Sequence, residues 1–407
     1  MQPFAYHPAD FHRKALACAH HYGFRDITSL AQNAHPAPEQ TLGKRAPATP
    51  RPLETKMRKI DPWVREFDGA LRELKRNSVH PSPSAPHLFY TTSIDPTADP
   101  AELPDKPFTF SLYAFGLKHS IAEALVLKTA IVILEELGIG ESYTYLNSIG
   151  DRDSSHKFGR EATNILRRTI EELPSSLRES FKEDAFLAYM MAVRKQVELS
   201  EELPRPMEYL SSASRKHLRD VLEFLEAADI PYIFDDTVTG HRDWYQHTLF
   251  ELRSAEREDP EEPQVLFARG GRYDEHLKYV APNSVHAVGI TFRVRPQVTG
   301  RGLKATLPRQ QKRPRVYFIR LGAAAELKSF AIMETLRRAR VPTYHSIRTT
   351  ALSEHLAFAE SSNIPYTVIM GQKEALEDSV IVRDTATRAQ QTVPISHLSS
   401  FFRSTRR

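Results

Sequence analysis

The sequence predicts an α+β protein, with a mainly antiparallel sheet core carrying a helical insertion and a small α/β domain after it. Three observations point there. Apolar segments at 231–236, 246–253, 264–269 and 286–294 follow one another as adjoining strands, the pattern of an antiparallel sheet. Beyond residue 315, strands at Val316–Leu321, Thr343–Ile347 and Tyr366–Met370 alternate with helices near 325–340 and 351–361, a βαβαβ pattern with right-handed crossovers. Between Gly300 and Arg315 lie six basic residues and no acid, a cationic linker separating the two units.

The elements follow in order. Residues 10–32 read as a helix ending near Tyr22, with Gly23 as its stop and a strand over Phe24–Leu30. Of the 28 prolines, 13 fall between residues 33 and 107, which excludes a regular domain there. Asn33–Lys59 has too few large apolar residues to offset its ordering entropy and reads as a linker. Asp61-Pro62 offers an N-cap and a first-turn proline for one helix, with Trp63, Phe67, Ala70, Leu71 and Leu74 at helical spacing. Phe108–Phe115 is a strand, and Ser120-Ile-Ala-Glu123 spells a capping box for a buried helix that stops at Gly138. Ser142–Ile149 alternates as a strand, and 158–212 forms charged helical segments broken by Pro174, Pro204 and Pro206. Leu218, Val221, Leu222 and Leu225 then mark an amphipathic helix before Pro231. The expected divisions are 1–32, 33–107 (the proline-rich linker with one helix), 108–296 (the core, with 158–212 inserted), 297–315 and 316–407.

Composition bounds the function. A chain of 407 residues has room for two or three domains, and a net charge of +4 leaves nucleic-acid contact to local patches. Cys18 is the only cysteine, which excludes internal disulfides and thiolate zinc clusters. The longest apolar stretch, Ile121–Leu137, is interrupted by Glu123, Lys128, Glu135 and Glu136, so no membrane span is expected and the location expected is cytoplasmic. His20, His21, His241 and His247 lack metal-ligand spacing, and no metal site is expected. No phosphate loop of the Gly-x-x-x-x-Gly-Lys type and no Gly-x-Ser-x-Gly elbow occurs.

Two segments can carry chemistry. Ala268-Arg-Gly270-Gly271-Arg272-Tyr273-Asp274 ends an apolar strand with paired glycines, either a plain turn or a place where backbone approaches a ligand. Gly240-His-Arg-Asp243-Trp244-Tyr245-Gln-His247-Thr248-Leu-Phe250-Glu251 mixes aromatic and charged groups before a strand, either packing or the frame of a planar polar ligand.

Taken in this order with Tyr22-Gly-Phe24, Leu146-Asn-Ser-Ile-Gly150, Gly371-Gln-Lys-Glu374 and Val380-Ile-Val-Arg-Asp384, these segments resemble the histidyl-tRNA synthetase family of class II synthetases. The resemblance spans most of the chain from about residue 108. It implies a class II synthetase-like core and a C-terminal anticodon-binding-like domain. It also implies an amino-acid pocket made by Tyr245, Gly270, Gly271, Arg272 and Tyr273, with Tyr245 and Tyr273 facing histidine. The family's activating arginine falls at Thr239, and the glutamine and glutamate beside the histidine ring fall at Thr109 and Tyr113. No Phe-Arg-x-Glu strand precedes Phe115, and no Arg-Pro-Glu-Gly-Thr occurs in 33–80. The last class II motif survives as Gly289 with Arg293 and Arg295, which either face a nucleotide phosphate or point to solvent.

The resemblance therefore implies a synthetase-like protein with part of its amino-acid pocket and weak or absent ATP-dependent activation of histidine; no catalytic residue is assigned. Loss of one phosphate-orienting donor costs on the order of 10²-fold in rate, and several are missing. The alternatives are an active histidine–tRNA ligase with a divergent ATP site, or a regulatory subunit of histidine biosynthesis. In the ligase, the histidine carboxylate attacks the α-phosphate of ATP and the adenylate passes to the tRNA terminal ribose. No cofactor is required unless the chain is active, when ATP with magnesium would serve. Expected partners are tRNA and histidine or a similar small molecule, with homodimerisation as in other class II cores. Arg301, Lys304, Arg309, Lys312, Arg313 and Arg315 are the candidates for RNA phosphates, or else a solvated linker.

Overall fold

The computed structural model describes residues 2–27, 61–77, 79, 81–83, 85–94, 107–255, 264–280, 286–297, 313–345, 347 and 351–405. Two short strands, β1 (Gln2–Pro3) and β2 (Ala5–Tyr6), lead into helix α1 (Pro8–His21). Gly23, at φ 87°, turns the chain out of α1 into β3 (Arg25–Asp26), shorter than the expected Phe24–Leu30: Phe24 and Ile27 are not strand, and 28–30 lie outside the described residues. Helix α2 (Pro62–Arg76) is followed by β4 (His87–Thr92), a strand within the stretch expected to be linker with a single helix. β4 contains no proline, so it keeps every ladder donor and pairs antiparallel with β5 (Phe108–Phe115).

Helix α3 (Ile121–Glu136) and strand β6 (Ser142–Gly150) come next. The helical insertion starts earlier than expected, with α4 (Arg152–Arg168), α5 (Ser175–Glu183) and α6 (Ala185–Arg194). Asp151 and Asp184 cap α4 and α6 by accepting from the amides of Ser154 and Leu187. Helix α7 (Ser212–Ala227), β7 (Tyr232–Phe234), β8 (His247–Ser254), β9 (Val265–Arg272), the short helix α8 (Asp274–Val280) and β10 (Ala287–Pro296) complete the core.

The strand order is β3-β4-β5-β10-β9-β8-β6-β7, antiparallel at every join from β4 to β6 and parallel at the two outer joins; β1 and β2 add parallel to β9 and β10. Alternation divides each strand between two faces. Phe110, Leu112, Phe250, Leu252, Ile290 and Phe292 pack with α1 and α3 on one face. Tyr113, Phe115 and Leu249 face the other way, where α2 brings Val64, Phe67, Ala70 and Leu74 and the insertion brings Phe158 and Phe186.

The C-terminal unit holds β11 (Val316–Arg320), α9 (Ala323–Arg338), β12 (Thr343–His345), α10 (Leu352–Ser361) and β13 (Tyr366–Met370), the expected βαβαβ. Helix α11 (Gln372–Leu376), the strands β14 (Ser379–Asp384) and β15 (Gln390–Pro394), and helix α12 (Leu398–Ser404) extend it to a sheet of order β12-β11-β13-β14-β15. It docks on the α1/α3 side. His21 Nε2 lies 2.9 Å from the Met333 carbonyl, the Tyr22 hydroxyl donates to Glu334 at 3.1 Å, and Arg337 bridges Glu334, Glu135 and Glu136.

Candidate functional site

The two capping signals of the sequence do different work in the fold. Asp61 makes no side-chain bond to α2, and Ser120 and Glu123 form no capping box on α3. Both acids are fully buried and meet arginines of β9, one on each face of the sheet.

On the α2 face, alternation places Arg269, Gly271 and then Tyr273 on one line. Arg269 lies 3.2 Å from Asp61 Oδ2 and 2.8 Å from Glu251 Oε1, and it donates to the Thr239 carbonyl. Glu251 also accepts from Arg253 Nε at 2.7 Å, and Arg253 pairs with Asp235 at 2.5 Å. Arg194 of α6 donates from Nε to the Thr239 hydroxyl at 3.0 Å and from Nη2 to its carbonyl at 2.8 Å, and lies 3.8 Å from Asp61. Asp235, Arg253, Glu251, Arg269, Asp61 and Arg194 thus form a ladder of alternating sign and no net charge. Burial works against the charge of Arg269, but Asp61 and Glu251 outweigh it and hold its pKa above the ordinary value. Arg194 is pulled down to about 10 by burial and by Arg269 beside it.

Aromatic rings form a floor beside this ladder. Phe67 stacks on Tyr273 at 4.1 Å and 11°, Tyr273 lies 4.9 Å from Tyr245, and all three are buried. The guanidinium groups of Arg269 and Arg293 stand 5.5 and 5.6 Å from the Trp63 ring. Beside Tyr245 opens a cleft of about 170 Å³, lined by Asp151, Arg152, His156, Arg242, Asp243 and Glu275 among others. That is below the roughly 300 Å³ at which pockets for drug-sized ligands begin.

On the α3 face, Arg272 holds Glu123 with two bonds of 2.8 Å, and His217 Nε2 lies 3.0 Å from the same carboxylate. Burial resists ionisation of Glu123, but Arg272 and His217 keep its pKa far below the ordinary range. Asp274 closes the cluster through Arg272 at 3.3 Å and His286 at 2.6 Å.

The sequence-predicted pocket residues are therefore divided by the sheet. Tyr245, Gly271 and Tyr273 share the α2 face, whereas Arg272 points to Glu123 on the other. The glycines serve strand packing: a Cβ on Gly270 would lie 1.9 Å from the Gly289 carbonyl oxygen, and one on Gly271 would lie 2.6 Å from that of Thr248. Gly289 is covered by the Tyr113 ring, whose Cδ1 would be 2.4 Å from an added Cβ. Arg293 is half-buried against Trp63, which lowers its pKa, and Arg295 is exposed, its amide donating to the Phe4 carbonyl. Of the six basic linker residues, Arg301, Lys304, Arg309 and Lys312 lie outside the described residues. Arg313 is exposed, while Arg315 donates to the Phe402 carbonyl at 3.0 Å and the Thr405 hydroxyl at 2.9 Å, tying down α12.

Sequence reasoning gives Asp61 and Glu123 only as helix caps and Glu251 only as the end of a mixed aromatic and charged segment, and it does not reach Arg194, Asp235 or Arg253. The available signal was charge at inward positions of apolar runs: Glu251 and Arg253 alternate with Phe250 and Leu252, and Glu123 interrupts Ile121–Leu127.

Residues 315–405 match the anticodon binding domain family. The histidine–tRNA ligase of Aquifex aeolicus (strain VF5) is 25% identical over 284 residues, covering 70% of this chain and 68% of that protein. Histidine–tRNA ligase 1 of Shouchella clausii (strain KSM-K16) is 24% identical over 335 residues, covering 81% and 78%. The apo histidyl-tRNA synthetase of S. aureus aligns over 82% of this chain and 81% of its own at 17% identity, with a TM-score of 0.42. Taken with the ordered motifs, the anticodon-binding match and the two sequence matches make this chain similar to histidine–tRNA ligases over about 70–80% of its length.

Proposed function

We propose that this chain is a tRNA-directed, homodimeric, cytoplasmic member of the histidyl-tRNA synthetase family whose pocket no longer activates histidine efficiently. The observation that carries this reading is the neutrality of the ladder. The three arginines of the ladder are matched by three carboxylates, with no surplus cation among them for a triphosphate. ATP and magnesium would be bound by charge and bidentate donors, and Arg269 and Arg272 already spend theirs on Asp61, Glu251 and Glu123. The anticodon-binding match over 315–405 supports retained contact with tRNA.

One observation favours the active ligase as a second reading. Arg194 and Arg269 both converge on Thr239, the position at which the resemblance puts the activating arginine. Histidine-dependent ATP–pyrophosphate exchange separates the two. The expected rate is lower by on the order of 10²-fold or more than that of an intact synthetase, with tRNA binding that weakens steeply as salt rises. Robust exchange establishes the ligase instead.

A further inference from the structure

Asp61 stands where a carboxylate ordinarily caps a helix, yet it is 0% exposed and bonds no helical amide. Its Oδ2 accepts from the Tyr245 hydroxyl at 3.4 Å and lies 3.2 Å from Arg269 and 3.8 Å from Arg194. Its Oδ1 has no hydrogen-bond partner among the described residues, nor has the buried indole nitrogen of Trp63 two positions on. The donors come from α6, from β9 and from the segment before β8, all remote from residue 61 in sequence. Burying an ionised carboxylate costs several kcal/mol unless both oxygens are satisfied, whereas a cap at the helix start would leave it in water. A receptor assembled from three distant elements, filled by a carboxylate that satisfies it through one oxygen only, has the form of a site holding a substitute.

We propose that Arg194, Arg269 and Tyr245 form a receptor for a small free carboxylate, that Asp61 occupies it from within the chain, and that α2 withdraws when a carboxylate from solution enters. This rests on the inactive-pocket reading and refines it: the pocket is filled rather than dismantled.

Acetate is the probe, compared with chloride at equal ionic strength on the full chain. Removing the side chain in Asp61→Ala leaves a carboxylate-sized space facing two guanidinium groups. Acetate is expected to raise the melting midpoint of this variant by about 2 °C or more. It should leave Asp61→Ala/Arg269→Met unchanged. A folded Asp61→Ala protein that melts alike in both salts overturns the proposal. If that variant does not fold, hydrogen exchange of wild-type amides 64–76 decides, with acceleration of about twofold or more in acetate expected from competition with Asp61. Equal exchange in the two salts then overturns it. Histidine-dependent pyrophosphate exchange by the wild type sinks both readings, whereas indifference to acetate without such exchange sinks the occupancy alone.

Discussion

His247 begins β8 at φ 60°, opposite a bulge in β6, with its ring centroid 4.4 Å from that of His217. Burial first, then the charge of His217 and Arg272, pulls its pKa down to about 4. The unfolded chain takes up a proton near the ordinary 6.5 while the folded chain does not, so stability present above 6.5 is lost as pH falls toward 4. Asparagine tolerates a left-handed backbone and does not titrate. His247→Asn should therefore lose less stability than the wild type between those pH values, by about 1–3 kcal/mol. Denaturant titrations across the window check this, and parallel pH profiles would count against it. Within the same cluster, Arg272 and Glu123 lie 149 positions apart, a distance no local pattern spans. Ser-x-x-Glu reads as a capping box whether or not the glutamate has a better partner elsewhere, and here an arginine outcompetes a backbone amide because both ends of that bond are charged.

For elements, α2 was legible and its role was not. The stripe Trp63, Phe67, Ala70 and Leu74 foretells a helix with one buried face, and that helix forms. Which surface it covers depends on Tyr273 and Tyr113, whose orientation follows from sheet register. Phe67→Ala should cost about 3–5 kcal/mol by removing a stacked ring from a closed interface. Phe67→Leu should cost markedly less, and urea midpoints for the pair test the ranking. A loss below about 1 kcal/mol for the alanine variant would mean that α2 is loosely seated. Strand β4 is hard to read in the sequence because the prolines around it dominate the local signal, although none lies within it. Alternation was readable in β9, but not which side of the sheet each arginine meets, since both faces are covered and both hold an acid.

At the level of the whole molecule, the seam between the two units turns on Gly23. Its φ of 87° suits only glycine without strain, and a Cβ there would lie 2.9 Å from the His345 ring. Gly23→Ala should loosen the C-terminal unit, seen as faster proteolysis between the units and an earlier separate transition on heating. A single unchanged transition would show that Tyr22, Arg337 and the apolar seam hold it unaided. That seam belongs to the α1/α3 side, whereas Asp61 and the aromatic floor lie across the sheet. The C-terminal unit is thus screened from Asp61 and the rings around it by a layer of backbone. Among the described residues β9 ties the two sides of that wall together, because its Arg269 and Arg272, three residues apart, are anchored to acids on opposite faces, so a shift of one guanidinium pulls on the strand that holds the other.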